Sequence, residues 1–300
     1  MRQIISFFIG FFLLVLTACS SDDAEVMQDP VVPQAQTISF FINEDAHNPS
    51  QDGPYGSKTE DMILISAENL KIAFNKWGAL SFVQVAVTEH FPNGARVKNF
   101  YSSTNYSAYN FTFHMDALDE VNKRVKGSFA GFAYFDPVTL TLESKFISGS
   151  FDVNYIDVVA PIKYVRHDAK INNVDWHQTN RYFTNGAAND NNNVVMHDVS
   201  DNEFQIMVHY NLQTTQVGTY DFVDSDVSNK IQVAKYDSQT KTYTNYATSG
   251  KLKITQKEFV QGNTYIISAT YTATGVNPNN SSDVIAVTDG TIKYVTFSHP

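Results

Sequence analysis

Histidines beside acidic residues are the first candidates for chemistry among the eight histidines of this 300-residue chain. His167-Asp168 and His197-Asp198 each place an imidazole next to a carboxylate, and His177 lies nearby in sequence. Imidazole binds metals and haem and transfers protons near neutral pH. Neighbours in a strand point to opposite faces, however, and no H-x-H or H-x-x-x-H spacing is present. We therefore predict solvated surface histidines and neither a metal nor a cofactor.

Acidic residues are the second group, and they suggest calcium binding or hydrolysis. Asp221, Asp224, Asp226 and Asn229 cluster, but a calcium loop needs ligands at alternate positions, a glycine at position six and a final Glu. A pair of carboxylates could serve a glycoside hydrolase. The chain contains no G-x-S-x-G elbow, P-loop or H-E-x-x-H motif. We predict a non-catalytic protein, with a metal-, haem- or calcium-binding protein or a glycoside hydrolase as alternatives.

Two groups of tyrosines amid serine, threonine and asparagine form the third candidate. Their flat rings could stack on sugar faces, as an exposed aromatic group among polar residues can mark a binding surface. The alternative is that they lie flat over strand edges. The predicted ligand-binding residues are Tyr101, Tyr106, Tyr109, Tyr236, Tyr243 and Tyr246.

The elements that must position these residues are β-strands. Apolar and polar residues alternate with period two in 83–88, 111–116, 204–210, 251–255 and 265–271, which is typical of half-buried strands. The 22 Phe and 16 Tyr add to the β propensity. No window of a dozen residues has helical periodicity, and 118–124 offers at most a single helical turn. The sequence predicts an all-β protein.

A similar order of patterns occurs twice. Sliding the chain by 141 residues aligns 111–156 with 252–297, and both segments read strand, turn, long strand, proline turn, and a strand opened by glycine. We therefore predict two tandem antiparallel β-sandwich or barrel-like modules, 37–160 and 165–300. One large β domain with similar strands is the alternative.

The N-terminus resembles that of a bacterial lipoprotein. Arg2 precedes an apolar run, and Leu16-Thr17-Ala18-Cys19 resembles a lipobox, with the one cysteine of the chain at the cleavage site. The resemblance implies that 1–18 is a signal peptide and that Cys19 is lipidated, which anchors the protein to a membrane. Residues 19–36 then form a flexible tether. Without another thiol, the mature chain has no internal disulfide.

The segment after Cys19 and the net charge indicate location and partners. Ser20-Ser21-Asp22-Asp23 resembles the surface-export signal of some outer-membrane lipoproteins, so we predict a lipid-anchored outer-membrane protein exposed at the cell surface. The periplasmic leaflet is the alternative. Beyond Arg2 the chain carries 20 basic and 31 acidic side chains, a balance of −11 that argues against nucleic acid.

A second resemblance concerns the β modules. Residues 249–255 and 287–291, and more closely Ile147-Ser148-Gly149-Ser150-Phe151, resemble the "SGKLxIT … ITxGxF" pattern of uncharacterised Gram-negative surface lipoproteins. That resemblance implies a compact β module and no assigned catalytic residue. We predict a non-catalytic lipoprotein that presents a β scaffold for binding an extracellular glycan or protein. The alternative is a structural accessory subunit of an outer-membrane assembly.

Overall fold

The prediction of an all-β protein is confirmed. The computed structural model describes residues 35–49, 56–185, 193–260 and 264–297, which form twenty-one β-strands and no helix. Within these residues no helix is long and apolar enough to span a membrane. The signal peptide 1–18, Cys19 and nearly all of the tether 19–36 lie outside the described residues.

The strands divide into an N-terminal half, β1 to β10, and a C-terminal half, β11 to β21. Those of the N-terminal half are β1 (Thr37–Ile42), β2 (Asp45–His47), β3 (Gly56–Thr59), β4 (Met62–Ala67), β5 (Leu70–Asn75), β6 (Leu80–Phe91), β7 (Gly94–Tyr101), β8 (Phe111–Asp119), β9 (Arg124–Asp136) and β10 (Thr141–Asp157).

The C-terminal half has eleven strands. They are β11 (Arg166–Ile171), β12 (Val174–His177), β13 (Asn180–Asn185), β14 (Asn193–Val199), β15 (Phe204–Asn211), β16 (Gly218–Phe222), β17 (Lys230–Asp237), β18 (Thr242–Asn245), β19 (Ala247–Phe259), β20 (Thr264–Asn277) and β21 (Asn280–Phe297).

The N-terminal half is one ten-stranded sheet whose pairings close into a circuit. Strands β3 to β7 form an antiparallel meander, β7 contacts β9 through Tyr101 and Tyr134, and β9 pairs with β10. The far end of β10 pairs with β3, which completes the circuit, and β1 pairs with the middle of β10. One apolar core fills this half, with six phenylalanines and six isoleucines among its buried residues.

The C-terminal half consists of two sheets that share one core. The six-stranded sheet has the order β12-β11-β21-β20-β19-β16, and the five-stranded sheet has the order β13-β14-β15-β17-β18. Buried side chains from both sheets, such as Ile206 and Val233 on one and Ile254 and Ile267 on the other, belong to a single cluster. The period-two pattern of these strands produces this core, because alternate residues point to one face.

The halves follow the same order of pairings. Each begins with a hairpin (β1–β2 or β11–β12) whose first strand pairs with the last strand of that half. A five-stranded meander follows, β3 to β7 in one half and β13-β14-β15-β17-β18 in the other. Each ends in a three-stranded meander, β8-β9-β10 or β19-β20-β21. Strand β16 is an addition to the C-terminal half and pairs with β19.

Gly149 and Gly290, each in the middle of the last strand of its half and not at its start as the sequence predicts, have similar environments. Gly149 of β10 pairs directly with Phe129 of β9, and Gly290 of β21 pairs with Tyr271 of β20. A Cβ atom at Gly149 would lie 2.8 Å from the Phe129 ring, and one at Gly290 would lie 2.5 Å from the Tyr271 ring. Glycine in a strand often marks such a close approach.

Three hairpin turns share one construction. A carboxylate oxygen of Asp119, Asp136 or Asp237 accepts hydrogen bonds from the backbone N–H groups two and three residues later. The residue four positions after each Asp adopts positive φ, at Lys123, Leu140 and Lys241. Aspartate favours turns through such bonds. The turn after Asp119 replaces the single helical turn considered for 118–124.

Residues 36–300 form one compact unit, so the two halves are in contact. Ser81 Oγ donates to the Thr179 carbonyl at 2.8 Å, and the Tyr164 N–H donates to a carboxylate oxygen of Glu60 at 2.6 Å. We call the contact region between the halves the junction.

Candidate binding sites

Four of the six predicted tyrosines meet at the junction. Tyr106 and Tyr109 come from the loop between β7 and β8, and Tyr236 and Tyr243 come from β17 and β18. The Tyr236 ring centroid lies 6.4 Å from that of Tyr106, 6.2 Å from Tyr109 and 5.3 Å from Tyr243. The Tyr243 hydroxyl donates to the Asn105 carbonyl across the junction. The two sequence groups therefore form one cluster that joins the halves.

The remaining two tyrosines lie apart from this cluster. Tyr101 is half-buried at the bridge between β7 and β9. Tyr246 is buried and donates to Asp283 at 2.6 Å, and burial together with that carboxylate raises the pKa of Tyr246 to about 12. None of the six is exposed, so they do not form an open platform of tyrosine rings. Ligand contact by these tyrosines stays a prediction.

A polar network with a fully buried centre lies in the C-terminal half. His167 is 0% exposed; its Nδ1 lies 2.7 Å from Asp198 Oδ2, and its Nε2 lies 2.5 Å from the Tyr271 hydroxyl. The Arg181 guanidinium donates to both Asp198 oxygens, at 2.6 and 2.9 Å. The prediction of a solvated surface histidine is wrong at His167, because β11 turns this side chain inward.

The protonation of this network follows from its partners. Burial alone would raise the pKa of Asp198, but Arg181 and His167 outweigh it and hold the pKa below its usual value. Burial lowers the pKa of His167, although Asp198 opposes that shift. We assign a neutral His167 that donates from Nδ1 to Asp198 and accepts from Tyr271 at Nε2. His167 and Asp198 have no solvent access, so this pair stabilises the core and cannot reach a substrate, whereas the Arg181 side chain is 11% exposed.

The other histidines and acidic residues that the sequence offers as candidates do not converge on one site. His197 contacts Thr184 at 2.8 Å, and half-buried His209 contacts Gln232 at 3.2 Å. The carboxylates of Asp224 and Asp226 accept backbone N–H groups within their own loop and from β19. Within the part of the chain that the structure describes, no group of three or more His, Cys, Asp or Glu side chains could hold a metal ion.

A polar cleft opens at the junction, and we call it the junction cleft. The N-terminal half contributes Asp61, Asn75 and Trp77 to its lining, and the C-terminal half contributes Arg166, Asp168 and Gln178. Its volume is about 100 Å³. Only Asp168 of these six was a sequence candidate, as the neighbour of His167, because strands distant in sequence form the cleft.

Ion pairs run across the junction cleft. Asp61 contacts Lys76 at 2.6 Å and Arg166 at 2.9 Å, and Arg166 also contacts Asp168 at 2.9 Å. His177 Nδ1 lies 2.8 Å from the other oxygen of Asp168. Burial would raise the pKa of Asp61, but its bonds to Lys76 and Arg166 keep the pKa lowered.

An aromatic face lies on the outer side of the N-terminal sheet, away from its core. It consists of Phe41 on β1, Phe132 on β9 and Phe146 on β10, which are 43%, 42% and 38% exposed. Phe132 and Phe146 are directly opposite in the ladder, with ring centroids 5.3 Å apart. Phe41 pairs with Ser148, so it is the diagonal neighbour of Phe146. The signal in the sequence is the run 129–135, which has aromatic residues on both faces of one strand.

No family model, curated protein or solved structure matches this chain. Its own residues therefore carry the functional argument.

Proposed function

We propose that this protein is a lipid-anchored envelope protein that works by binding, and that its aromatic face docks on a protein partner. The single observation that carries the proposal is the exposure of three phenylalanines on adjacent strands. Each ring is already more than half buried, so the part left in water costs about 1 kcal/mol per side chain relative to full burial. A neighbouring protein surface would remove that cost.

The surroundings of the aromatic face support a protein as its partner. Its neighbours on the same outer strand faces are small and uncharged: Ser39, Ser128, Ala130, Ser144 and Ser148. Protein interfaces have an aromatic centre depleted in charge and a polar rim. The contrast with the whole chain is large, since the chain carries a net charge of −10. We favour a flat, weakly charged partner surface with apolar side chains at its centre.

The proposed anchor places the aromatic face near the membrane. Phe41 lies in β1, the strand that follows the proposed tether 19–36. Eighteen flexible residues have an r.m.s. span of roughly 25 Å. A lipid on Cys19 would therefore keep the face within reach of outer-membrane proteins. This location favours the accessory-subunit alternative.

The proposed scaffold consists of two tandem β modules, each sandwich or barrel-like, as the sequence predicts. The shared order of hairpin, five-stranded meander and three-stranded meander supports this proposal. The aromatic face belongs to one module only: it uses β1, β9 and β10.

Cross-linking in intact cells tests the docking proposal. The full chain is compared with the double variant Phe132→Ser/Phe146→Ser and with a control, Phe91→Ser/Phe259→Ser, whose phenylalanines are also exposed but lie on β6 and β19. We expect one stoichiometric envelope protein to cross-link to the wild type and the control and to be lost in the double variant. An unchanged cross-linking pattern in the double variant would refute docking through this face.

The anchor has a separate test. Cys19→Ser removes the thiol that a lipid would modify, so the variant should leave the membrane fraction. Metabolic labelling with a radioactive fatty acid should label the wild type and not the variant. Retention of the variant in the membrane would contradict the proposed lipidation.

A further inference from the structure

We propose that the junction cleft binds a neutral carbohydrate through one polar edge of a sugar ring, independently of the aromatic face. Both halves contribute to this cleft, so neither half alone contains the site. Three features of the cleft point to such a ligand: an unpaired buried donor, carboxylates beside cations, and a fixed indole ring.

The unpaired donor is the side-chain amide of Asn75. Its oxygen accepts the backbone N–H groups of Trp77 and Ala79, at 3.1 and 2.9 Å, which fixes which way the amide points. Its nitrogen is buried and has no hydrogen-bond partner within the described residues, and the residue is 1% exposed. A buried polar atom without a partner costs about 1–3 kcal/mol. A hydroxyl or ring oxygen of a bound ligand would satisfy this donor.

The charges of the cleft favour a neutral ligand. Asp61 is paired with Lys76 and Arg166, and Asp168 is paired with Arg166 and His177. Glu60 adds a third carboxylate to the lining, so acidic side chains outnumber Lys76 and Arg166 at the cleft. An anion would meet these carboxylates, and a cation would meet the guanidinium. Carboxylates still have spare lone pairs after these bonds. They can accept sugar hydroxyls, while the amide donates to a neighbouring oxygen.

Trp77 supplies an apolar surface at the same cleft. Its indole is 43% exposed and stacks on the His177 ring, with centroids 4.0 Å apart and planes 4° apart. Since His177 is tied to Asp168, the indole is held in one orientation before any ligand arrives. Preorganisation of this kind reduces the entropy lost on binding. Lys76 Nζ also lies 4.8 Å from the indole centroid, so the part of the indole left for the C–H groups of a sugar ring is its exposed edge.

The volume limits how much of the ligand is enclosed. About 100 Å³ accepts one edge of a ring, and the rest of the carbohydrate would extend into solvent. We therefore expect the site to recognise a terminal or internal ring of a longer chain.

Glycan-array screening of the full-length chain in detergent, followed by calorimetric titration of the binders, tests the proposal. The array holds neutral and acidic oligosaccharides. We expect neutral chains to bind. Trp77→Ala should lower the affinity at least about tenfold, which corresponds to about 1.4 kcal/mol of binding free energy. Phe91→Ala, which removes another exposed aromatic ring, should leave the affinity unchanged.

A second cleft variant keeps the proposal testable if Trp77→Ala fails to fold. Asp168→Asn keeps the shape of the side chain and should also weaken binding, while Phe132→Ser should not, because Phe132 lies outside the cleft. The proposal is overturned if no neutral chain binds, if acidic chains alone bind, or if affinity survives both cleft variants.

Discussion

The two halves of this protein share an order of strand pairings but fill their cores with different chemistry. The N-terminal core stacks phenylalanine rings: Phe74 lies 4.6 Å from Phe113 and 5.9 Å from Phe151, between centroids. The C-terminal core instead encloses the ionic network of His167, Asp198 and Arg181. This difference shows that the alternation of apolar residues determines which face of each strand is buried, whereas the identity of the core side chains can differ between the halves.

The difference also separates two kinds of stability. A phenylalanine core depends on burial of apolar area and is insensitive to pH. A buried ion pair offsets the free-energy cost of desolvating its charges only while every partner is present, because the loss of one partner leaves the other charge buried and uncompensated. We therefore expect the C-terminal half to be the more sensitive one, both to single substitutions and to acid.

The largest expected effect comes from breaking the buried network. Arg181→Met leaves Asp198 charged and uncompensated inside the C-terminal core, so the free energy of unfolding should fall by about 3–5 kcal/mol. Urea denaturation followed by circular dichroism measures this. In the N-terminal half, Arg124→Met removes the pair with Asp152 nearer the surface and should cost about 1 kcal/mol or less. Equal losses of unfolding free energy in the two variants would contradict the proposed difference between the halves.

Gly149 and Gly290, in the middle of the last strands, should behave alike in the two halves. Gly149→Ala and Gly290→Ala each place a methyl group against an aromatic ring on the neighbouring strand, so each should cost about 1–3 kcal/mol. Gly218→Ala is the control, because its added Cβ would have no neighbour closer than 4.0 Å, and it should change stability by less than about 0.5 kcal/mol. Thermal unfolding of the three variants compares them. A tolerated alanine at one of the two glycines would show that the matching environments do not have matching roles.

A smaller effect concerns acid. Burial and the nearby Lys230 lower the pKa of His209 to about 4, below the 6.5 of an unfolded histidine. Between pH 6.5 and 4 the unfolded chain therefore binds more protons, and stability falls as the pH is lowered. His209→Gln should recover about 1 kcal/mol of this loss at pH 5.5. Denaturation midpoints at pH 7.5 and 5.5 measure it, and an identical pH dependence in the variant would contradict the assignment.

Much of the fold could be predicted from sequence because it depends on local alternation. The period-two segments at 83–88, 111–116, 204–210, 251–255 and 265–271 all lie in strands. The 141-residue shift also places β8, β9 and β10 on β19, β20 and β21 within a few residues. Strand alternation and turn residues are properties of neighbours in the chain, so a sequence reveals them.

The sites could not be predicted because they depend on pairing between distant strands. The rule that adjacent His and Asp residues point apart holds for His167 and Asp168, yet His167 meets Asp198 and Asp168 meets His177 across strands. The junction cleft likewise joins Asp61 to Arg166, which are more than a hundred residues apart. Four of the six tyrosines form one cluster, whereas Tyr101 and Tyr246 lie apart from it, and the burial of the cluster follows from the contact between the halves.

Site-specific photocross-linking in living cells is the decisive test of the proposal that a protein partner binds to the N-terminal half. A photoreactive amino acid replaces Phe146 on β10 in one strain and Thr291, which is exposed on the corresponding last strand β21, in another. We predict that position 146 forms a discrete cross-link to an envelope protein and that position 291 does not. Cross-links from position 291 alone, or from neither position, would contradict the proposed docking face.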